Sequence, residues 1–377
     1  REGPGAEGAE REMNVRAPRE AHDLLPCVGI TDIDGAALIP ADGQANPSYI
    51  TASMAKGAGM HGARDLEDTD VTGFKVENGR VTEVQTSRGT VQCEIVVNCA
   101  GQWARELGAQ VGVNVPLVSV EHQYMITEQI AGVTSSLPTL RDPDRLTYYK
   151  EEVGGLVMGG YEPNPIAWAA DGFPDRFNFQ LLGSNFDHFE QLTELALGRV
   201  PALATAGVKE LINGPESFTP DGNFILGLAP ELDNYYLGCG FNAFGIAAGG
   251  GAGKVLAEWI VGGEPPYDLS AVDILRFGRN HQDVNWVRSR TLEAYAKHYT
   301  IAWPSEEYKS GRPLRRSPLY DRLKTQGAVF GEKLGWERPN WFAAPGEDAA
   351  DHYTFGRPNW FGAVAREHAA TRDAVSV

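Results

Sequence analysis

Residues Tyr235 to Ile260, YYLGCGFNAFGIAAGGGAGKVLAEWI, constrain the fold more than any other stretch of the chain. A short apolar strand, Tyr235–Leu237, runs into a glycine-rich turn, and the turn opens a helix that ends near Trp259. Gly238, Gly240 and Gly245 permit unusual backbone angles and a close approach of the main chain to a ligand. Unpaired N–H groups at the helix start, backed by the positive end of the helix dipole, suit an electron-rich group. A tight strand-to-helix turn with no ligand fits the same residues. Just upstream, FTPDGNFILGLAP (Phe218–Pro230) reads as another turn followed by a strand.

Composition narrows the class. A chain of 377 residues with 42% apolar content buries a large core and suits two domains. A formal net charge of −17 argues against a nucleic-acid partner and against anionic membranes. No apolar run approaches the length that spans a bilayer. The opening REGPGAEGAEREMNVRAPRE has no apolar signal-peptide core, so the expected location is cytoplasmic, or the mitochondrial matrix in a eukaryote. Cys27, Cys93, Cys99 and Cys239 show no CxxC spacing; Cys99 and Cys239 sit in apolar strand contexts, which predicts buried free thiols.

The chain reads in blocks. Residues 1–22 are polar and rich in Gly and Glu, a composition that predicts disorder. Residues 47–63 have helical spacing, with Ser48 as a candidate cap. Strands are predicted at Val71–Val76, Val81–Thr86 and Thr90–Asn98, joined as a meander through turns at Asn78-Gly79 and Arg88-Gly89. EIVVNCAG (Glu94–Gly101) has the apolar continuity of a strand buried on both faces of a parallel sheet, and a short helix follows it. From Pro116 to Tyr161 the pattern is antiparallel strands: VSVEHQYMIT, LTYYKEE and GGLVMGGY. Residues 184–199 form an amphipathic helix on Phe186, Phe189, Leu192, Leu195 and Leu197, capped by Ser184 or Asn185. A repeated RPNWF, Arg338–Phe342 and Arg357–Phe361, marks two similar docking turns.

Seven segments, in order, carry a family resemblance: DGQANPSYITASMAKGA (Asp42–Ala58), VVNCAGQWARELG (Val96–Gly108), VEHQYMIT (Val120–Thr127), LTYYKEE (Leu146–Glu152), ESFTPDGNFILG (Glu216–Gly227), GCGFNAFGIAAGGGAGKVLAEWI (Gly238–Ile260) and GWERPNWFA (Gly335–Ala343). Each is weak alone. Together the chain resembles the FAD-dependent dimethylglycine and sarcosine dehydrogenases of the D-amino-acid-oxidase-like superfamily. The resemblance implies an α/β (α+β) fold, with an incomplete Rossmann-like FAD-binding domain over 23–115 and 215–265. It implies an antiparallel substrate-binding sheet over 116–214, a central linker region over 266–362, and over 363–377 the start of an aminomethyltransferase-like, folate-binding domain. The family's opening succession of strand, GxGxxG turn and helix has no counterpart in residues 1–40. A fragment, or a truncated gene model, is therefore expected.

The implied reaction is oxidative demethylation of a small N-methylated amino acid by hydride transfer to FAD. The electron acceptor is oxygen or an electron-transfer flavoprotein, and tetrahydrofolate enters only in longer relatives. Another amine or amino-acid oxidase, or a non-catalytic regulatory relative, are the alternatives. The amine must be uncharged before transfer, which a dry aromatic cavity favours. Alternation along VEHQYMIT puts Val120, His122 and Tyr124 on one face. His122 is the candidate amine-side group, with a hydrogen-bonded core histidine as the plain alternative. The family places a site tyrosine in the Tyr148–Tyr149 pair; adjacent strand positions face opposite ways, so one reaches the site, and Tyr148 is favoured. Arg141 and Arg145 are candidate carboxylate clamps or ordinary loop arginines, and His61 and His188 read as surface or structural residues. By correspondence, Val71, Ala100, Gly101 and Trp103 meet the cofactor, and Gly240, Phe241, Asn242, Ala243, Phe244, Gly245 and Ile246 cover its flavin ring. No metal-ligand cluster and no G-x-S-x-G elbow is present in the sequence.

Overall fold

The computed structural model describes residues 13–374. β1 (Asn14–Arg16) pairs antiparallel with β2 (Ala36–Leu38), and α1 (Pro18–Leu24) lies between them with proline at its first position, where a missing N–H costs nothing. Residues 13–22 are therefore ordered, against the expectation of disorder. Backbone pairing with β2 and burial of Ala21 supply what the polar side chains do not. Residues 1–12 lie outside the described residues. α2 (Pro47–Met60) is capped by Asn46, which accepts the Tyr49 N–H, rather than by Ser48.

β3 (Val71–Glu77), β4 (Arg80–Thr86) and β5 (Gly89–Gln92) form a meander as expected, but the third predicted strand, Thr90–Asn98, breaks after Gln92 and its end joins another sheet. Asn78 and Gly79, both with positive φ, close its first hairpin as the twist of paired strands requires. β6 (Val96–Asn98) follows, then α3 (Ala104–Gln110).

β7 (Val118–Thr127) is the spine of a six-stranded antiparallel sheet. The other strands are β8 (Leu140–Asp142), β9 (Thr147–Glu152), β10 (Gly155–Gly160), β11 (Ala167–Trp168) and, after α4 (Phe186–Arg199), β12 (Val208–Phe218). β12 pairs along the whole of β7, while the opposite edge of β7 meets β10 near Met125 and β11 near Ser119. Asn185 caps α4 by accepting the His188 N–H. The helix presses Phe189, Leu192 and Ala196 onto Met125, Tyr149, Leu156 and Met158 of the sheet. Phe186, at the first helical position, stays outside this face and is 59% exposed. Gly160 lets the helix approach, since a Cβ there would lie 2.8 Å from Leu192 Cδ2.

β13 (Ile225–Leu228) and β14 (Tyr235–Cys239) join β6 in a three-stranded sheet, with β14 parallel to β6 and antiparallel to β13. β6 is shorter than EIVVNCAG suggested and is not buried on both faces. It lies at a sheet edge, and Ile95, Val97 and Cys99 are exposed. Cys99 is thus corrected to an exposed thiol, whereas Cys239, the last residue of β14 and paired with Ile225, is buried. All four cysteines are free. α5 (Gly245–Gly262) ends on Gly263 in the left-handed conformation.

α6 (Val284–Ala296) covers the second face of the large sheet, with Trp286 and Val287 against Val118, and Tyr295 against Val120 and Phe218. α7 (Tyr320–Thr325), β15 (Ala328–Lys333), β16 (Trp336–Phe342) and α8 (Phe361–Asp373) close the chain. The RPNWF copies are not two similar turns. Pairing with β15 holds the first extended within β16, and the second leads into α8; Trp341 and Trp360 meet in one small core.

Leu192→Ala should destabilise the chain by about 2–5 kcal/mol, through lost transfer energy and the cavity left under α4. Urea unfolding followed by circular dichroism measures it; an unchanged midpoint would show that the α4 face does not stabilise the sheet.

Candidate active site

The α6-facing side of the large sheet gathers ionisable and aromatic groups around His122. The β9–β10 hairpin turns at Val153-Gly154, both with positive φ, and sets Tyr148 opposite Gly159. Gly159 is required there, because a Cβ would collide with the Tyr148 hydroxyl. The tyrosine ring passes over this gap, and its Oη lies 3.2 Å from His122 Nε2. Tyr149 points the other way, into the α4 core. His122 Nδ1 lies 2.9 Å from Tyr295 Oη, and Tyr295 donates to Glu162 Oε2 at 3.1 Å. Glu162 Oε1 lies 3.1 Å from His188 Nε2. Tyr161 packs on His122, Tyr295, His298 and Tyr299 with ring centroids 4.2–5.1 Å apart.

This packing disfavours charge. Burial, helped by nearby His298, pushes His122 down to about 4. His298 also falls to about 4, through burial and the positive charge of Arg141. Burial drives the Tyr148, Tyr161 and Tyr295 phenols well above their usual range. Arg141 lies opposite Tyr148 on β8 and stacks on the Tyr299 ring at 3.9 Å. Arg141 forms no ion pair among the described residues, whereas Arg145 is bound to Asp32 at 2.6 Å.

The glycine loop lies beside this cluster. β6 and β14 are parallel, so their carboxyl ends, leading to Ala100–Trp103 and Gly240–Ile246, emerge on the same side of the sheet. Gly240, Asn242 and Ala243 all have positive φ. Asn242 is 1% exposed; it accepts the Thr219 N–H at 2.8 Å and donates to the Gly240 carbonyl at 2.6 Å, clamping the loop to the TPDG turn. The loop then delivers exposed Gly245 and Ile246 at the start of an 18-residue helix, where first-turn N–H groups lack intrahelical partners. A Cβ on Gly101 would meet nothing within 4 Å, and one on Gly245 only Phe241 Cβ at 3.9 Å, so the space above both is open.

Two contacts join loop and cluster. The Phe244 ring lies 5.2 Å from that of His298. Glu216, opposite Val120 and so on the same sheet face as His122, is hydrogen-bonded by the Ala243 backbone. Burial raises the Glu216 carboxyl from 4.5 to about 7, an effect the Ala243 bond only partly offsets.

His122 and Tyr148 are thus in direct contact, and Phe244 and Ala243 adjoin their neighbours. Trp103 packs instead on Phe173, 5.9 Å away. Val71 pairs with Thr86 at the start of the meander and shares no hydrogen bond or ring contact with either loop among the described residues. Glu162, Glu216, Tyr295, His298 and Tyr299 escaped the sequence reading. Only Glu216 carried a usable signal, since strand register places it beside His122.

A family model described as "FAD dependent oxidoreductase" matches residues 3–259. The chain belongs to the FAD dependent oxidoreductase family. Further models, "FAD dependent oxidoreductase central domain" and "GCVT N-terminal domain", match residues 262–317 and 319–377. The chain is 42% identical over 337 residues to mitochondrial sarcosine dehydrogenase of Mus musculus, covering 88% of this chain and 36% of that protein. It is 37% identical over 337 residues to the mitochondrial pyruvate dehydrogenase phosphatase regulatory subunit of Mus musculus, covering 89% and 38%. It therefore spans well under half the length of these relatives. L-proline dehydrogenase from P. horikoshii has a similar structure, with a TM-score of 0.62 and 26% identity over 72% of this chain and 70% of that one. Among the described residues no helix is long and apolar enough to cross a membrane, and no metal-binding cluster occurs.

Glu216 generates a stability prediction. Its folded pKa is raised, so the folded chain holds a proton that the unfolded chain loses first. Stability therefore falls as pH rises from 4.5 to about 7 and stays lowered above. Glu216→Gln should remove that component, gaining on the order of 2–3 kcal/mol over wild type at pH 8 and nothing at pH 4. Urea titrations at both pH values measure it; parallel curves would show an unshifted Glu216.

Proposed function

We propose that this chain forms the amine-oxidising part of an FAD-dependent oxidoreductase that demethylates a small N-methylated amino acid such as sarcosine or dimethylglycine. The observation that carries the reading is the contact of His122 with Tyr148 in a neutral aromatic cluster, beside the exposed start of α5. The sarcosine dehydrogenase relative supports the substrate class.

The residues present fit the flavin-ring end of FAD. The start of α5 at Gly245 and Ile246 offers first-turn N–H groups without intrahelical partners, the positive helix end and an open glycine surface, and Ala100–Trp103 adjoins it. Bound FAD supplies the two-electron acceptor for the methyl C–H bond. The chain's own residues prepare the amine. Desolvation lowers the affinity of the substrate nitrogen for its proton, as it does for His122 and His298. Tyr148 and His122 receive that proton, leaving the nitrogen lone pair free to drive hydride departure. Arg141, level with Tyr148 and without an ion pair among the described residues, holds the substrate carboxylate. Water then converts the substrate iminium to formaldehyde and the demethylated amine. The GCVT N-terminal match supports tetrahydrofolate as the eventual one-carbon acceptor in a longer protein.

The 37% identity to a phosphatase regulatory subunit favours a second reading, a binding subunit without catalysis. Visible flavin absorbance and anaerobic mixing with sarcosine or dimethylglycine separate the two. The enzyme reading expects bound FAD and bleaching by at least one amine; a colourless protein that takes up no FAD leaves the regulatory reading. In the flavin-loaded chain, His122→Ala should slow bleaching by roughly 10²–10³-fold, and Arg141→Met should weaken substrate binding by roughly 10–100-fold. Wild-type behaviour in both variants would remove these residues from the site.

A further inference from the structure

We propose that His122 is the inner end of a buried proton relay running through Tyr295 and Glu162 to His188, in which Glu162 is the positioning residue that fixes the tautomer of His122. The relay extends the reading of this face as an amine-oxidation site, and its tautomer component is independent of that reading.

The direction of the chain follows from donor and acceptor counting. Tyr295 is fully buried on α6, and its hydroxyl lies between His122 Nδ1 at 2.9 Å and Glu162 Oε2 at 3.1 Å. A phenol has one proton to give. Tyr295 gives that proton to Glu162 Oε2, so the phenol oxygen must accept from His122 Nδ1–H. The Nε2 lone pair is thereby left facing Tyr148 Oη at 3.2 Å. A residue three links from the substrate face thus prepares Nε2 as a base.

The outer end has the same logic. Glu162 is 4% exposed, and its second oxygen lies 3.1 Å from His188 Nε2. His188 stands in the first turn of α4 with 12% of its side chain exposed, so the line reaches solvent there. Tyr161 packs on both His122 and Tyr295, 4.9 and 5.1 Å between centroids, and shields the middle of the line.

The transfer balances without an oxidant. The substrate ammonium breaks one N–H bond, and its electron pair stays on nitrogen. Tyr148 takes that proton as its own passes to His122 Nε2. The Nδ1 proton passes to Tyr295, and the Tyr295 proton to Glu162 Oε2. The Glu162–His188 pair then carries one proton more, which solvent removes at His188.

The test uses the full chain labelled with ¹⁵N-histidine. Imidazole ¹⁵N shifts, assigned through His122→Ala, should show wild-type His122 as the Nδ1–H tautomer. Glu162→Gln and the near-isosteric Tyr295→Phe should each shift a large fraction to Nε2–H, while Tyr161→Phe, whose hydroxyl lies outside the line, should not. In the flavin-loaded chain, Glu162→Gln should slow reduction by the amine roughly 10–100-fold and raise the solvent isotope effect, with substrate Kd within about threefold (under 1 kcal/mol). An Nε2–H tautomer in wild type, or an unmoved tautomer in both variants, overturns the positioning role. A wild-type reduction rate in Glu162→Gln overturns the relay. A tautomer that responds as expected in a protein no N-methyl amine reduces would instead sink the proposed substrate, leaving the positioning role intact.

Discussion

The pairing of β12 with β7 is the constraint on which the site depends. Side chains alternate with a period of two, so this register decides which residues face α4 and which face α6. Val120 opposite Glu216 and His122 opposite Gly214 put two ionisable groups on one face, with a glycine beside the imidazole. Gln123, one residue on, exchanges hydrogen bonds with the Asn185 backbone and ties the α4 cap to the same register. A one-residue slip would drive His122 into an apolar core and break the cap together. Stability of the sheet and placement of His122 are therefore one problem for this chain, since the same pairs solve both.

Within that frame the electrostatics are consistent. Every shifted group on the α6-facing side moves toward its neutral form: the two histidines down, the phenols and Glu216 up. The largest cause is the same for all, desolvation by burial. A substrate amine brought here meets that same penalty on its charged form. On the proposed reading, the acceptor for its proton is strong in geometry rather than in basicity, since burial pushes His122 down to about 4. Hydrogen bonds of 2.9–3.2 Å on both ring nitrogens supply that geometry.

Local pattern made much of this legible. Period-two alternation gave the face of His122 and the opposite facing of Tyr148 and Tyr149, and helical spacing with Asn185 gave α4. Glycine punctuation gave the strand, loop and helix at Tyr235–Gly262. The failures have physical causes. Composition missed β1, whose order comes from pairing with a strand some twenty residues away. An apolar run could not reveal that β6 sits at an edge, because burial on both faces depends on what covers it. Tyr295, Glu162 and His188 come from α6, the segment after β10, and α4; only tertiary folding brings them into line. The RPNWF repeat misled because five residues do not fix conformation when one copy has a strand partner and the other a helix to start.

The two sides of the site are held by different forces, and this separates their roles. Around His122 the side chains satisfy one another: Tyr295 is fully buried and the hydrogen-bonded line from Tyr148 to His188 is continuous. At the loop, Asn242 clamps the backbone and the Ala243 backbone bonds Glu216, and beyond them the Phe244 and Ile246 side chains stand 44% and 52% exposed at the helix start. A planar, largely apolar ring laid there gains about 25 cal/mol for each Å2 of apolar surface covered, and its electron-rich edge meets the N–H groups and positive end of α5. Neither contribution requires a charge from the His122 cluster. On the proposed reading, a neutral amine side and a helix end that balances negative charge let a proton acceptor and an electron-rich ring share one small site without either destabilising the other.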